Sequence, residues 1–339
     1  MSAVPHVHQY AVVIGSSAGG IETLKRVVAG LPADFAAPVF IVQHLAPAFP
    51  SFLPQILTTA GKLEAKHPHD GERIDAPGIY VARPDHHLLI EDGHVAVKRG
   101  PKENGFRPSV DALFRSAAYI YRSSAIGIVL SGALNDGTSG LWTIKRLGGT
   151  TIVQDPADAT NPSMPLAAMK DVEIDYSLPA ARMAEVLMEK ITQPQPSAIA
   201  PPADELRRVD IERAIAGGAY PLDTGVLELG KPSRYSCPEC HGVLARIDEG
   251  PLTRYRCHTG HGYTQDALLS GIEQTSDEAL AQTVTALEEG SMLLEEIGAR
   301  CRQEANTVAA DDFLRRARRT KELVRGLQEL LHKGRTALP

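Results

Sequence analysis

Between Tyr10 and Ile191, short apolar runs rich in β-branched residues alternate with segments whose apolar positions recur at helical spacing. The runs Tyr10–Ile14 (YAVVI), Val39–Val42 (VFIV), Ile126–Leu130 (IGIVL) and Thr151–Val153 (TIV) read as strands. Helices are expected at about 20–29, 109–121, 139–147 and 179–191. This alternation predicts an α/β fold with a doubly wound, mostly parallel sheet. From 78 to 99 the pattern changes to GIYVA, HLLIE and HVAVK, with Glu91-Asp92-Gly93 as turn residues. That stretch predicts an antiparallel hairpin at one edge of the sheet.

The alternation stops at Thr192–Asp204, where four prolines and little that could form a core predict a linker. A short cysteine-containing module follows at about 232–265, then two long helical patterns at about 276–304 and 310–333. The first of these is expected to open with a capping box, Thr275-x-x-Glu278. Seven acidic and no basic residues in 273–296 face eight basic and four acidic ones in 310–335. An antiparallel helical hairpin would pair those charges, and packing for stability explains it more simply than a dedicated partner-binding device.

Composition narrows the picture. A chain of 339 residues, 43% of them hydrophobic, can bury at least one sizeable core and is not disordered throughout. A net charge of −6 gives no general attraction to nucleic acid or to an anionic membrane. The start, MSAVPHVHQY, has no signal-peptide pattern, and no stretch approaches a membrane span, so a cytoplasmic protein without membrane insertion is expected. All four cysteines, Cys237, Cys240, Cys257 and Cys301, lie in the final third, so no disulfide can brace the larger part.

Candidate chemistry begins where YAVVI runs into Gly15-Ser16-Ser17-Ala18-Gly19-Gly20 and then into a helix. This is G-x-S-x-G centred on Ser17, in a strand-turn-helix context. A phosphate-binding turn uses the same geometry. However, Ser17 stands where G-x-G-x-x-G needs its second glycine, and Ile21 stands where a P-loop needs lysine. A serine hydroxyl becomes a nucleophile only when an imidazole takes its proton and a carboxylate orients that imidazole. His44 ends the second apolar run, and Asp136 lies just beyond IGIVL in LSGALNDGTSG. If these strands are parallel, all three side chains project from one sheet edge, where open α/β sheets bind ligands. The chain order Ser, His, Asp differs from that of the α/β-hydrolases. Asp111, at a helix start, reads as a capping or supporting residue.

VVIGSSAGG, FIVQHLAP, DGERI…GIYVARPDHHL, RPSVDALF and LSGALNDGTSG, in that order, resemble the catalytic domain of the CheB family of chemotaxis protein-glutamate methylesterases. The resemblance implies Ser17 as nucleophile, His44 as general base and later acid, and Asp136 as the group orienting His44. It also implies an oxyanion hole from the backbone N–H groups of Ala18 and Ala133. Leu134 stands where the family often has a glycine. The implied reaction is hydrolysis of glutamate γ-methyl esters on methylated chemoreceptor helices, with release of methanol and no catalytic cofactor. Deamidation of receptor glutamines is the same attack with ammonia leaving. The usual enzyme carries a receiver domain before the catalytic domain. Here the nucleophile strand starts at residue 10, so control by a receiver in cis is not expected.

Cys237-Pro-Glu-Cys240 and Cys257-His-Thr-Gly-His261 have the spacing of two zinc knuckles joined by a hairpin, a zinc ribbon. Cys237, Cys240, Cys257 and His261 are the natural ligands for a structural zinc, with His241 and His258 as alternatives. Cys301 reads as a packing residue. The expected organisation is a methylesterase-like catalytic domain at 1–191, a Pro/Ala-rich linker region at 192–231, a zinc-ribbon-like module at 232–265 and a helical hairpin at 266–339. Two other readings remain open: a signalling adaptor that binds receptor or another partner through the extension, and an esterase with a target outside chemotaxis.

Overall fold

The computed structural model describes residues 8–75, 77–194 and 201–336, with side chains to residue 330. In chain order the first part contains β1 (Ala11–Ser16), α1 (Gly20–Ala29), β2 (Val39–Gln43), α2 (Leu53–Ala60), β3 (Ala65–Lys66), β4 (Ile79–Val81), β5 (His87–Glu91), β6 (His94–Lys98) and α3 (Val110–Tyr121). It continues with β7 (Ala125–Val129), α4 (Thr138–Arg146), β8 (Thr150–Gln154), α5 (Ser163–Asp171), β9 (Tyr176–Leu178) and α6 (Ala180–Thr192).

Seven strands form one sheet in the order β3-β4-β2-β1-β7-β8-β9, and every neighbouring pair is parallel. The apolar runs are fully buried because each face of the sheet carries its own core. One core joins Val13, Phe40 and Val129 to Leu113 and Phe114 of α3 and Leu141 of α4. The other joins Val12, Ile14 and Ile41 to Leu24 and Val28 of α1 and Met183 and Leu187 of α6. The fold is therefore doubly wound, as its period pattern predicts. The chain moves from β1 to β2 on one side and later to β7 on the other, so the direction of winding reverses at β1. The C-terminal ends of β1, β2 and β7 flank that switch point.

The hairpin differs in placement. GIYVA supplies β4, which joins the main sheet in parallel, while β5 and β6 pair antiparallel in a separate two-stranded sheet. Their apolar residues Leu88, Ile90, Val95 and Val97 pack into the core that α3 also lines. The hairpin covers the sheet's helical layer rather than extending its edge.

The expected linker region at 192–231 is also corrected. It contains α7 (Ala203–Ala216) and α8 (Pro221–Thr224), and Val209, Ile211 and Ile215 of α7 are buried. Beyond the proline-rich stretch, the sequence ELRRVDIERAIA supplies the apolar and charged residues that α7 buries. Within the linker, residues 195–200 lie outside the described residues. The cysteine module forms a four-stranded antiparallel sheet from β10 (Lys231–Ser236), β11 (Val243–Glu249), β12 (Leu252–Cys257) and β13 (Gly262–Thr264).

Two compact units divide the chain, 1–268 and 269–339. Helix α9 (Gln265–Gln303) starts ten residues before the expected capping box, and Thr275 lies inside it, donating its hydroxyl to Gly271 O at 2.8 Å. Helix α10 (Thr307–Thr336) follows. Within the second unit the helices pair charges as expected: Lys321 Nζ lies 2.7 Å from Glu295 Oε1, and Arg302 Nη2 lies 3.1 Å from Asp311 Oδ1. Gly298 lets Leu314 approach closely, since a β-carbon there would sit 2.9 Å from it.

Candidate active site and candidate metal centre

Ser17 follows the last residue of β1 and precedes α1, half-buried at the mouth of a cleft of about 760 Å³. Gly19 allows this turn by adopting φ +76°, a region that costs a side-chain-bearing residue about 1–2 kcal/mol. Gly132 lets the β7 loop close on the serine, because a β-carbon there would lie 2.8 Å from Ser17 Cβ and 2.0 Å from Met164 Sδ. Ser17 N donates to Ser131 O at 2.9 Å, and Gln43 Nε2 donates to Ser17 O at 2.8 Å. Ser16, by contrast, is fully buried and donates to Gln43 Oε1 at 2.8 Å.

His44 follows β2 and lines the same cleft, stacked on Phe106 with ring centres 3.8 Å apart. Its Nε2 lies 2.9 Å from Asp136 Oδ2, with the two side chains 5% and 1% exposed. Its Nδ1 is buried and has no hydrogen-bond partner among the described residues.

Asp136 follows β7 and accepts four further hydrogen bonds. Val110 N donates to Oδ2 at 2.7 Å; Asn104 Nδ2 and the Ser109 hydroxyl donate to Oδ1 at 2.9 Å, and Asp111 N does so at 3.3 Å. Burial favours the neutral acid, but the bonds and charge of His44, with the other donors, win and hold the carboxyl at about 2. Asp111 is pushed the other way, to about 7, by burial and by the charge of Asp136. It does not cap its own helix: Oδ1 accepts Gly137 N at 3.0 Å and Gly140 N at 2.6 Å.

Ser17 and His44 line one cleft and His44 pairs with Asp136; the three lie in the loops that follow the parallel strands β1, β2 and β7. Ala18 and Ala133 are both exposed beside Ser17 and Gly132. Leu134 adopts φ +61°, so the loop keeps the left-handed backbone that a glycine there would favour. Asn104 and Phe106 complete the site without any local motif to mark them, while Gln43 and Ser109 fall within FIVQHLAP and RPSVDALF. The dipeptide Asn104-Gly105 carries a turn signal, but nothing in sequence places it beside Asp136.

In the cysteine module, Cys237 Sγ, Cys240 Sγ, Cys257 Sγ and His261 Nδ1 all lie within 4.8 Å of one another. A tetrahedral zinc with Zn–S of about 2.3 Å and Zn–N of about 2.0–2.1 Å needs edges of roughly 3.5–3.8 Å. Three of the edges are 3.6 Å (Cys240 to Cys257), 3.7 Å (Cys237 to His261) and 3.5 Å (Cys257 to His261). The first knuckle is closed by Cys237 N donating to Gly242 O at 2.8 Å and the second by Gly260 N donating to Cys257 O at 2.9 Å. His241 and His258 stay outside the cluster; the His258 ring packs over Gly242. Cys301 lies on α9, half-buried.

A parallel doubly wound sheet with serine, histidine and aspartate at its switch point has the layout of a serine hydrolase. The comparisons narrow this: the chain belongs to the CheB methylesterase family, whose family model matches residues 12–187. It is 38% identical over 179 residues to a putative protein-glutamate methylesterase/protein-glutamine glutaminase of Leptospira interrogans, covering 52% of this chain and 93% of that one. It is 36% identical over 191 residues to the protein-glutamate methylesterase/protein-glutamine glutaminase of Thermotoga maritima, covering 55% of this chain and 56% of that one. The crystal structure of the Thermotoga maritima CheB methylesterase catalytic domain superposes with a TM-score of 0.52 at 36% identity, covering 55% of this chain and 99% of that one. The activity these names denote is carboxylic ester hydrolysis.

Proposed function

We propose that this chain hydrolyses glutamate γ-methyl esters on chemoreceptors through Ser17, His44 and Asp136. The observation that carries this is the buried His44–Asp136 pair, with Nε2 on the carboxylate and Nδ1 left without a partner on an imidazole that shares Ser17's cleft. Asp136 fixes the tautomer with the proton on Nε2, which makes Nδ1 the basic atom. Ser17 Oγ attacks the ester carbonyl carbon and passes its proton to Nδ1. The N–H groups of Ala18, at the positive end of α1, and Ala133 hold the developing oxyanion. As the tetrahedral intermediate collapses, His44 returns the proton to the departing methoxide, giving methanol. A water then attacks the acyl-enzyme with His44 again as base, freeing the glutamate carboxylate and Ser17. Deamidation of a receptor glutamine follows the same path with ammonia leaving.

The chemistry needs no metal, and Zn²⁺ on Cys237, Cys240, Cys257 and His261 is structural. Four protein ligands leave no open position for substrate. The module's own apolar cluster is small, so the metal supplies much of its folding free energy. The substrate surface is a methylated chemoreceptor helix reached from the cytoplasm, and the extension is the place for a signalling partner. No helix among the described residues is long and apolar enough to cross a membrane.

The test is methanol release from receptors of defined methylation state, with ammonia release from receptor glutamines followed alongside. Turnover of a simple methyl ester without methanol from any receptor would leave an esterase with another target. Turnover of neither would leave the adaptor.

A further inference from the structure

The ribbon is built directly onto the residues that hold Asp136. Strand β13 starts at the residue after His261 and runs beside the loop 102–104. Gly262 N donates to Lys102 O at 3.2 Å, and Asn104 N donates to Gly262 O at 2.7 Å. Thr264 N then donates to Asn104 Oδ1 at 2.9 Å. The other end of the same amide group carries the consequence: Asn104 Nδ2 donates to Asp136 Oδ1 and to Asp111 Oδ2, each at 2.9 Å. Its Nδ2 thus bridges two buried carboxyl groups.

A second arm reaches the residue before Asp136. The Thr264 hydroxyl donates to Asn135 Oδ1 at 2.7 Å, and Asn135 Nδ2 donates to Asp266 Oδ2 at 3.0 Å. A third fixes the base of the ribbon. Arg256, the neighbour of Cys257, donates to Glu103 Oε1 at 3.0 Å, to Glu212 Oε1 at 2.8 Å and to Gly260 O at 2.7 Å. Ligands Cys257 and His261 are thus flanked by Arg256 and Gly262, both anchored on residues 102–104.

We propose that metal loading of the Cys237, Cys240, Cys257 and His261 site positions the catalytic carboxylate, with β13 and Asn104 as the link, so that the activity of Ser17 depends on the ribbon being filled. Asn104 is a positioning residue in this scheme. A loosened β13 releases its amide, and Asp136 then loses one of the donors that align it on His44, keeping those of Ser109, Val110 and Asp111. Misalignment of a catalytic group by about 1 Å costs on the order of 100-fold in rate, and loss of an outer supporting bond about 10–100-fold.

The inference rests on the Ser17–His44–Asp136 reading, and the test separates the two. The full chain, loaded with Zn²⁺, is labelled with a fluorophosphonate, whose rate reports the nucleophilicity of Ser17 without any receptor. Labelling of Ser17→Ala at the wild-type rate would break the triad reading itself. With that control blank, removal of zinc by a chelator is expected to slow labelling at least about tenfold, with recovery on adding Zn²⁺ back. Asn104→Ala, with its zinc retained, is expected to show the same slowing, and it decides the matter if stripping unfolds the protein. Coupling of binding free energies is reciprocal. The zinc affinity, read by equilibrium competition with a chromogenic chelator, should therefore rise once Ser17 is phosphonylated in the wild type, and not in Asn104→Ala. Wild-type labelling rates in either the stripped protein or Asn104→Ala, or a zinc affinity indifferent to phosphonylation, overturn the proposal.

Discussion

The partners of Asp136 and those of the cysteine–histidine cluster are brought together by opposite means. The carboxylate lies in the loop after β7, in a sheet with a large apolar core on each face, and its donors come from His44 and from the segment 104–111. The cluster draws its ligands from a span of 25 residues whose apolar cluster is small. Sheet topology preorganises the first; a shared ion would preorganise the second. The difference teaches what each site would depend on: the carboxylate on the donors that gather on it from His44 and the segment 104–111, the cluster on an ion it could hold.

Between them lies a buried charge network in which Arg254 reaches Glu212 at 2.7 and 2.9 Å and Glu249 at 2.7 Å, and Arg115 pairs with Glu103. The comparison can be broken at several points. Asp136→Asn keeps the shape of the site but presents an amide to His44, and kcat for ester hydrolysis should fall about 10⁴-fold. Stopped-flow or steady-state methanol assays read this directly. Glu212→Gln leaves Arg254 and Arg256 short of a buried countercharge, and urea unfolding should show a loss of about 3–5 kcal/mol.

A pH series sharpens the carboxylate half. Because Asp136 is lowered to about 2 from its ordinary 3.8 when folded, its contribution is present above pH 4 and is lost as pH falls through 2. It amounts to about 2 kcal/mol, and Asp136→Asn should lack that slope in urea titrations between pH 4 and 2. Asp111 has the opposite sign, since its folded value is raised to about 7: its contribution is complete below pH 3.8 and is lost as pH rises through 7. The smallest effect is expected at Leu134, held at φ +61°. Leu134→Gly should stabilise the protein by about 1 kcal/mol in urea unfolding, and destabilisation would show that the Leu134 side chain contributes more than its backbone costs.

The two regions were also unequally legible in the sequence. The cluster's ligands lie at knuckle spacing, so four residues could be named from local pattern. Ser17 and His44 were legible because each follows an apolar strand run closely, and Asp136 because it lies in the loop six residues beyond IGIVL; parallel strands bring such positions to one edge. Asn104 was not legible: its importance comes from contacts with Asp136, Asp111 and Thr264, up to 160 residues away. Helix α7 was obscured by the prolines before it, since composition located the break but not where order resumes. The hairpin of β5 and β6 was visible as a hairpin, but period alone does not say which layer it joins.

The claim on which everything else depends is that Ser17 is the nucleophile, and the most direct measurement compares methanol release from a methylated receptor by the wild type and by Ser17→Ala. Release should fall by at least about 10⁴-fold in the variant while its folding is unchanged. Release at the wild-type rate would contradict the assignment.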